Sequence, residues 1–183
     1  MNVEIHSRVL DSLIGLFDVP LIQNDLRGLY AEHLIAEFLG DEWNAVGLAW
    51  AGWDLEHEDG TKIEVKSSAA KQSWEPSKNG KSLPAFNIKA SKFHWLDGSS
   101  RLKSDGRLAQ IYIFAWHGND TKDADQRDVD QWEFFVVPTD MLPDQKSIGL
   151  RPLKNLTRSV KHKELLREVD KIRMGLTDTV GWV

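Results

Sequence analysis

Apolar positions recur along this chain with two periods, and each period predicts its own kind of element. Near the start, Val3, Ile5, Val9, Leu10, Leu13, Ile14 and Phe17 return at roughly helical spacing. They predict an amphipathic helix over 3–17 that ends near Pro20 and packs on the core. A second helix is expected from Asn24 or Asp25, either of which can cap it, to about Leu39, with Gly40 just past its end. Its expected buried stripe is Leu26, Tyr30, Ala31, Leu34, Ile35 and Phe38. Residues 43–55, with Trp43, Val46, Leu48, Trp50 and Trp53, read as a first strand, and 61–68 as a second, with the turn signal Asp59-Gly60 between them. Phe86-Asn87-Ile88 predicts a short strand, and residues 93–96 a helical turn capped by Ser91.

Two further runs, QIYIFAW at 110–116 and QWEFFVV at 131–137, are the least ambiguous buried strands, the second stopped by Pro138. The aspartate-rich segment between them has no regular ligand spacing and reads as a solvated loop rather than a separate metal site. Thr139 is placed to cap a short turn, and residues 148–152 suggest a small edge element. Val160, Leu165, Leu166, Val169 and Ile172 predict a last amphipathic helix over 159–174. The sum is an α+β chain whose central mixed sheet of four to five strands is flanked by helices.

Composition narrows this picture without overturning it. At 183 residues, 41% hydrophobic and 28% charged, the chain fits one globular domain over 1–183, with the first and last helices packed on its core. No apolar run approaches a membrane span, and residues 1–16 lack a basic start and a small-residue cleavage site, so a cytoplasmic protein with no membrane partner is expected. The absence of cysteine excludes disulfides and thiolate metal sites.

The net charge of −5 argues at first against a nucleic-acid partner, because phosphate contacts need Lys and Arg. Its distribution reverses that. Between Lys62 and Arg107 stand ten basic residues against four acids, a net of +6, which leaves −11 for the rest. Lys71, Lys78, Lys81 and Lys89 in this segment are the candidate nucleic-acid contacts. The plainer alternative is a solvated lysine-rich loop region.

The candidate chemistry lies at the start of that basic segment, in WDLEHEDGTKIEVK from Trp53 to Lys66. Side chains alternate across a strand, so Glu64 and Lys66 share one face while Val65 takes the other. The loop length then decides what Asp54 meets. With a two-residue loop at Asp59-Gly60, Asp54 points away. With a three-residue loop, Glu58-Asp59-Gly60, closed by Gly60 in the left-handed region, Asp54 falls across from Glu64. The second register is favoured. It sets two carboxylates roughly 4.5–5.5 Å apart at Cβ, a destabilising like-charge pair unless Lys66 or a divalent cation offsets it. Two hard oxygen ligands beside a lysine are what a magnesium-dependent phosphodiesterase needs.

Asp54 with Glu64-Val65-Lys66 resembles the signature of the PD-(D/E)XK nuclease superfamily, the restriction endonuclease-like fold; Trp53 stands where the proline of the motif would be. The run EVKSSAAKQSW resembles small bacterial members of that superfamily. The resemblance implies a metal-dependent DNA endonuclease. Asp54, Glu64 and the Val65 carbonyl would bind Mg²⁺, with Mn²⁺ as a substitute, and Lys66 would position the attacking water. Many members carry a glutamate on the helix before the first core strand, often four residues after a glycine. Arg27-Gly28-x-x-x-Glu32 matches that pattern, so the resemblance gives Glu32 a place in the metal site or beside it. Gln72 has two readings, a group that holds a phosphate or the attacking water, or a polar loop residue. Cutting both strands of a duplex often takes two active sites, which makes a homodimer an expected state. The superfamily core usually runs helix, three strands, helix, fourth strand, and the expected order here lacks a clear crossover helix. The rival functional reading is a non-catalytic DNA-binding or interaction module that keeps the fold.

Overall fold

The computed structural model describes residues 3–46, 52–74, 84–95 and 101–180, and within these leaves aside the side chains of 91–95, 101–105 and 177–180. Helices α1 (Val3–Gly15) and α2 (Asn24–Leu39) precede three short-range strands, β1 (Trp43–Ala45), β2 (Leu55–His57) and β3 (Lys62–Ala69). Then come β4 (Ala85–Asn87), β5 (Ser91–Trp95), β6 (Arg101–Gly106), β7 (Ile111–His117), β8 (Trp132–Pro138) and β9 (Ser147–Gly149). Helices α3 (Leu150–Leu156) and α4 (His162–Val180) close the order. The architecture is α+β. Its five-stranded mixed sheet runs β1-β2-β3-β7-β8, with β3 and β7 parallel and the other neighbours antiparallel.

Alternation along the central strands splits the core into two layers. Ile63, Val65, Ile111, Ile113, Phe134 and Val136 face α2 and α4, which contribute Ala31, Ile35, Leu39, Leu165 and Val169. Tyr112, Phe114, Trp116, Phe135 and Val137 face the other way, onto Phe86 and Ile88 near β4, Ile148 of β9 and Leu153 of α3. All seven residues of β7 are buried, as the unbroken apolar run predicts for a central strand. Since Val65 looks toward the helices, Glu64 and Lys66 project from the opposite face.

Several expectations need correction. The single strand over 43–55 is two strands that pair with each other, Trp43 opposite His57 and Ala45 opposite Leu55; residues 47–51 of the expected span lie outside the described residues. Over 93–95 the expected helical turn is strand β5, laddered with β6, because a partner strand decides the conformation of so short a run; residue 96 lies outside the described residues. Helix α2 is entered through Gln23 without a side-chain cap, and the Asn24 side chain accepts from Arg27 instead. Its buried line is Arg27, Ala31, Ile35 and Leu39, rotated from the expected stripe, with Leu34 and Phe38 only partly covered. The C-terminal end behaves as expected: Gly40, at φ 86°, donates to the Ala36 carbonyl at 3.0 Å.

Helix α3 follows β9 where only an edge element was expected, and Pro152 sits in its first turn, where a missing N–H costs nothing. Thr139 opens a short 3-10 turn but flanks it with no cap; its hydroxyl donates to the Ala109 carbonyl at 2.6 Å. Helix α4 begins at His162, leaves Leu166 40% exposed, and is preceded by Val160, which bridges to Phe134. The loop after β7 is better anchored than a solvated loop: Ala124 and Gln126 are buried, and the Gln126 side chain accepts from the Ile22 N–H at 3.0 Å. Finally, α1 buries none of its residues, and Val3, Val9, Leu10, Leu13 and Ile14 are 45–70% exposed. The expected packing of this helix on the core is not found.

Candidate active site

The β2–β3 hairpin closes through the three-residue loop. Leu55 pairs with Ile63 and Glu56 with Lys62, the register that Glu58-Asp59-Gly60 dictates. The His57 N–H donates to the Thr61 carbonyl at 2.9 Å, the Gly60 N–H to His57 at 2.8 Å, and Gly60 takes φ 86°. Arg173 of α4 donates to Asp59 at 2.7 Å and so clamps the loop to the helix layer.

The ladder ends at Leu55, one pair short of an Asp54–Glu64 match. At Asp54 the chain bends; its N–H reaches the Ile63 carbonyl at 2.9 Å, and its carboxylate Oδ2 accepts from the Val65 N–H at 2.7 Å. A side chain thus takes the donor that a longer β2 would have bonded. Glu64, on the exposed-to-site face of β3, accepts from the Lys66 ammonium through Oε1. Glu64 keeps 18% and Lys66 29% of its side-chain surface, so the pair is half-sunk rather than solvated.

Electrostatics tie these groups into one cluster. Burial first, and then the Glu64 charge, push the Asp54 carboxyl up to about 6, against the pull of Lys66 and the Val65 N–H. Glu32, on α2 beside the buried Ala31, is pushed up to about 7 by burial and then by Asp54, with Lys66 and His33 opposing. The structure therefore brings Glu32, Asp54, Glu64 and Lys66 together, from one helix and one hairpin. Such a concentration of strained acids is commoner at functional sites than elsewhere.

A hard divalent cation suits this donor set. Asp54 and Glu64 each have one carboxylate oxygen engaged by a protein donor, which leaves Oδ1 and Oε2 for another partner. Among the described residues, though, no group of three or more His, Asp or Glu side chains converges in a geometry that could hold a metal ion. Glu32 is an electrostatic neighbour of the pair.

The remaining sequence-derived candidates are placed differently. Gln72 uses both ends of its amide within the protein: Oε1 accepts from Arg27 at 2.9 Å and Nε2 donates to the Ala69 carbonyl at 2.8 Å. It holds a buried guanidinium in place, 3% exposed and with no acid in ion-pair contact among the described residues. Lys71 donates to the Thr121 carbonyl at 2.9 Å, which anchors the loop after β7. Lys89 is exposed, and Lys78 and Lys81 lie outside the described residues. Elsewhere in the basic segment, Arg107 is spent on the carbonyls of Ile88 and Pro143, and Lys62 sits 4.1 Å over the Trp53 ring.

One residue escaped the sequence reading. Tyr112 stands beside Glu64 in the parallel β3–β7 register, and its phenol is raised above the usual range by burial, then by Glu64, with Asp54 adding to the effect and Arg107 opposing it. No local signal marks it, because a register between strands 48 residues apart is set by the sheet. Comparison with known proteins gave no matching family model and no matching curated protein.

Proposed function

We propose that this chain is a metal-dependent DNA endonuclease with a restriction endonuclease-like domain. One observation carries the reading: a hairpin of the expected register gathers Asp54, Glu64 and Lys66, with Glu32 from the preceding helix, into a half-buried acidic cluster that contains one lysine. The element order supports it in part, since a helix and three successive antiparallel strands open the sheet, as they open the superfamily core. The crossover differs, being made of β4 and the β5–β6 ribbon with no helix among its described residues.

In this reading Asp54 and Glu64, with the Val65 carbonyl, hold Mg²⁺ or Mn²⁺. Bound metal supplies charge neutralisation at the phosphate and a water of lowered pKa. Asp54 is held at its angle by the Val65 N–H, so its free oxygen is pre-oriented. Lys66 leaves Glu64 to orient the attacking water or to balance charge on the phosphorane. Glu32 adjusts the charge of the cluster from the helix side. DNA would approach over the face of β3 that carries Glu64, with Lys89 and the basic segment at its flank.

The second reading, a DNA-binding or interaction module without catalysis, draws on the lack of a converging three-carboxylate group among the described residues and on Lys66 already being paired. End-labelled single-stranded and duplex DNA, incubated with Mg²⁺, Mn²⁺ or EDTA, separates the two. Cleavage in both metals and none in EDTA is expected. Retarded migration of uncut DNA, identical in all three, would favour the module.

A further inference from the structure

Helix α1 carries a feature the proposed activity does not use. At about 100° per residue, its apolar side chains fill one half of the circumference and Glu4, Ser7, Arg8, Asp11 and Ser12 the other. In α4 the same kind of face is buried, with Leu165 and Val169 at 0% exposure. In α1 nothing is. Seven of the eleven exposed large apolar side chains of the described residues lie between Val3 and Leu16. An apolar face this continuous marks a surface that another molecule covers.

We propose that α1 pairs antiparallel with α1 of a second copy, about a two-fold axis between Val9 and Leu10. The pattern is self-complementary about that point. Val9 falls opposite Leu10 of the second copy, His6 opposite Leu13, and Val3 opposite Leu16, while Arg8 and Asp11 stay on the outer face of both helices. A contact that each copy makes with the same patch is what a two-fold requires. The apolar surface also extends past the helix. Leu16, Val19 and Leu21 line a cleft of about 500 Å³ with Trp74, a residue 52% exposed. The Val3 end of the partner helix is carried toward this cleft.

Area decides whether such a pair can hold. A burial value of about 1.5–3 kcal/mol per side chain at about 25 cal/mol/Å² corresponds to roughly 60–120 Å² each. Half-exposed, the seven side chains and Trp74 offer roughly 300–500 Å² of apolar surface per copy. With interfaces about 60% apolar, this corresponds to roughly 500–800 Å² per partner, the lower part of the range for specific complexes. An area of this size is enough for a reversible dimer, and the pairing is independent of the nuclease reading.

Sedimentation equilibrium of the full chain from about 1 to 100 µM tests it. A reversible monomer–dimer equilibrium is expected, weakened at least tenfold by the double substitution Val9→Glu/Leu13→Glu. These side chains are exposed in the monomer, so the variant should keep its circular dichroism and thermal midpoint. Because the chain has no cysteine, single cysteines report the geometry. Leu10→Cys, beside the axis, should cross-link under mild oxidation, and Val3→Cys, at the far end, should not. A wild-type chain that stays monomeric at 100 µM overturns the proposal, as does a dimer indifferent to Val9→Glu/Leu13→Glu. Rapid cross-linking of Val3→Cys would show a parallel or different pairing. Monomers that co-sediment with phosphatidylglycerol vesicles through the same face would assign it to a lipid surface instead.

Discussion

Asp54 sets the electrostatics of the site, and its substitution separates stability from function. Its raised carboxyl, at about 6, means that ionisation at neutral pH works against the fold. Asp54→Asn should therefore stabilise the metal-free protein, by on the order of 1 kcal/mol once solvent screening is allowed for. Thermal unfolding in EDTA should show a rise of a few degrees, while Mn²⁺ binding, followed by calorimetry, is lost. Lys66→Ala makes the opposite test: the carboxylates remain, so Mn²⁺ still binds, but cleavage falls by about 10² or more because the group next to the reacting water is gone. Gln72, given two readings from the sequence, belongs in the structure with Arg27. Gln72→Ala is expected to lower the thermal midpoint by leaving that buried guanidinium short of an acceptor.

Among the elements, the β2–β3 hairpin was the most legible. Its register follows from local turn chemistry, a glycine that must take positive φ three residues after His57, and alternation then fixes which face Glu64 and Lys66 share. Gly60→Ala meets no atom within 4 Å, so its whole effect is backbone strain. A loss of about 1 kcal/mol or more is expected in denaturant unfolding, together with weaker Mn²⁺ binding. The clamp from Arg173 to Asp59 joins the hairpin to α4, and Arg173→Ala should speed amide hydrogen exchange in β2 and β3 before it changes exchange in β7. What the sequence did not reveal was non-local. The β5–β6 ladder, the rotation of α2 that buries Arg27, and the placement of Tyr112 beside Glu64 all depend on partners distant in the chain. The exposed face of α1 was misread because amphipathicity says that a face is to be covered, not by which molecule.

At the scale of the whole molecule, two sets of acids give stability opposite dependences on pH. Asp59 and Glu168 are held below their usual range: against a burial penalty, Thr61 and Arg173 lower Asp59, while Lys171 and Arg158 lower Glu168. Their contribution is present above about pH 4 and is lost as acid protonates them. Asp54 and Glu32, raised to about 6 and about 7, act the other way. Their ionisation withdraws stability as pH rises from about 4 to about 7. Metal-free thermal midpoints should accordingly peak near pH 4–5 and decline toward pH 8. Mg²⁺ should recover much of that decline at pH 8 and have little effect at pH 5, where the raised carboxyls are protonated. No helix of the described residues is long and apolar enough to cross a membrane.

Nicking of supercoiled plasmid shows whether Glu32, Asp54, Glu64 and Lys66 form one metal-dependent phosphodiesterase site. The wild-type chain and Lys66→Ala would be run side by side in Mn²⁺ at pH 8, with an EDTA control. The wild type should convert the plasmid to open circles, a conversion abolished by EDTA and reduced at least a hundredfold in Lys66→Ala. Equal nicking by both proteins, or none by a wild-type chain that also fails to bind Mn²⁺, would contradict such a site.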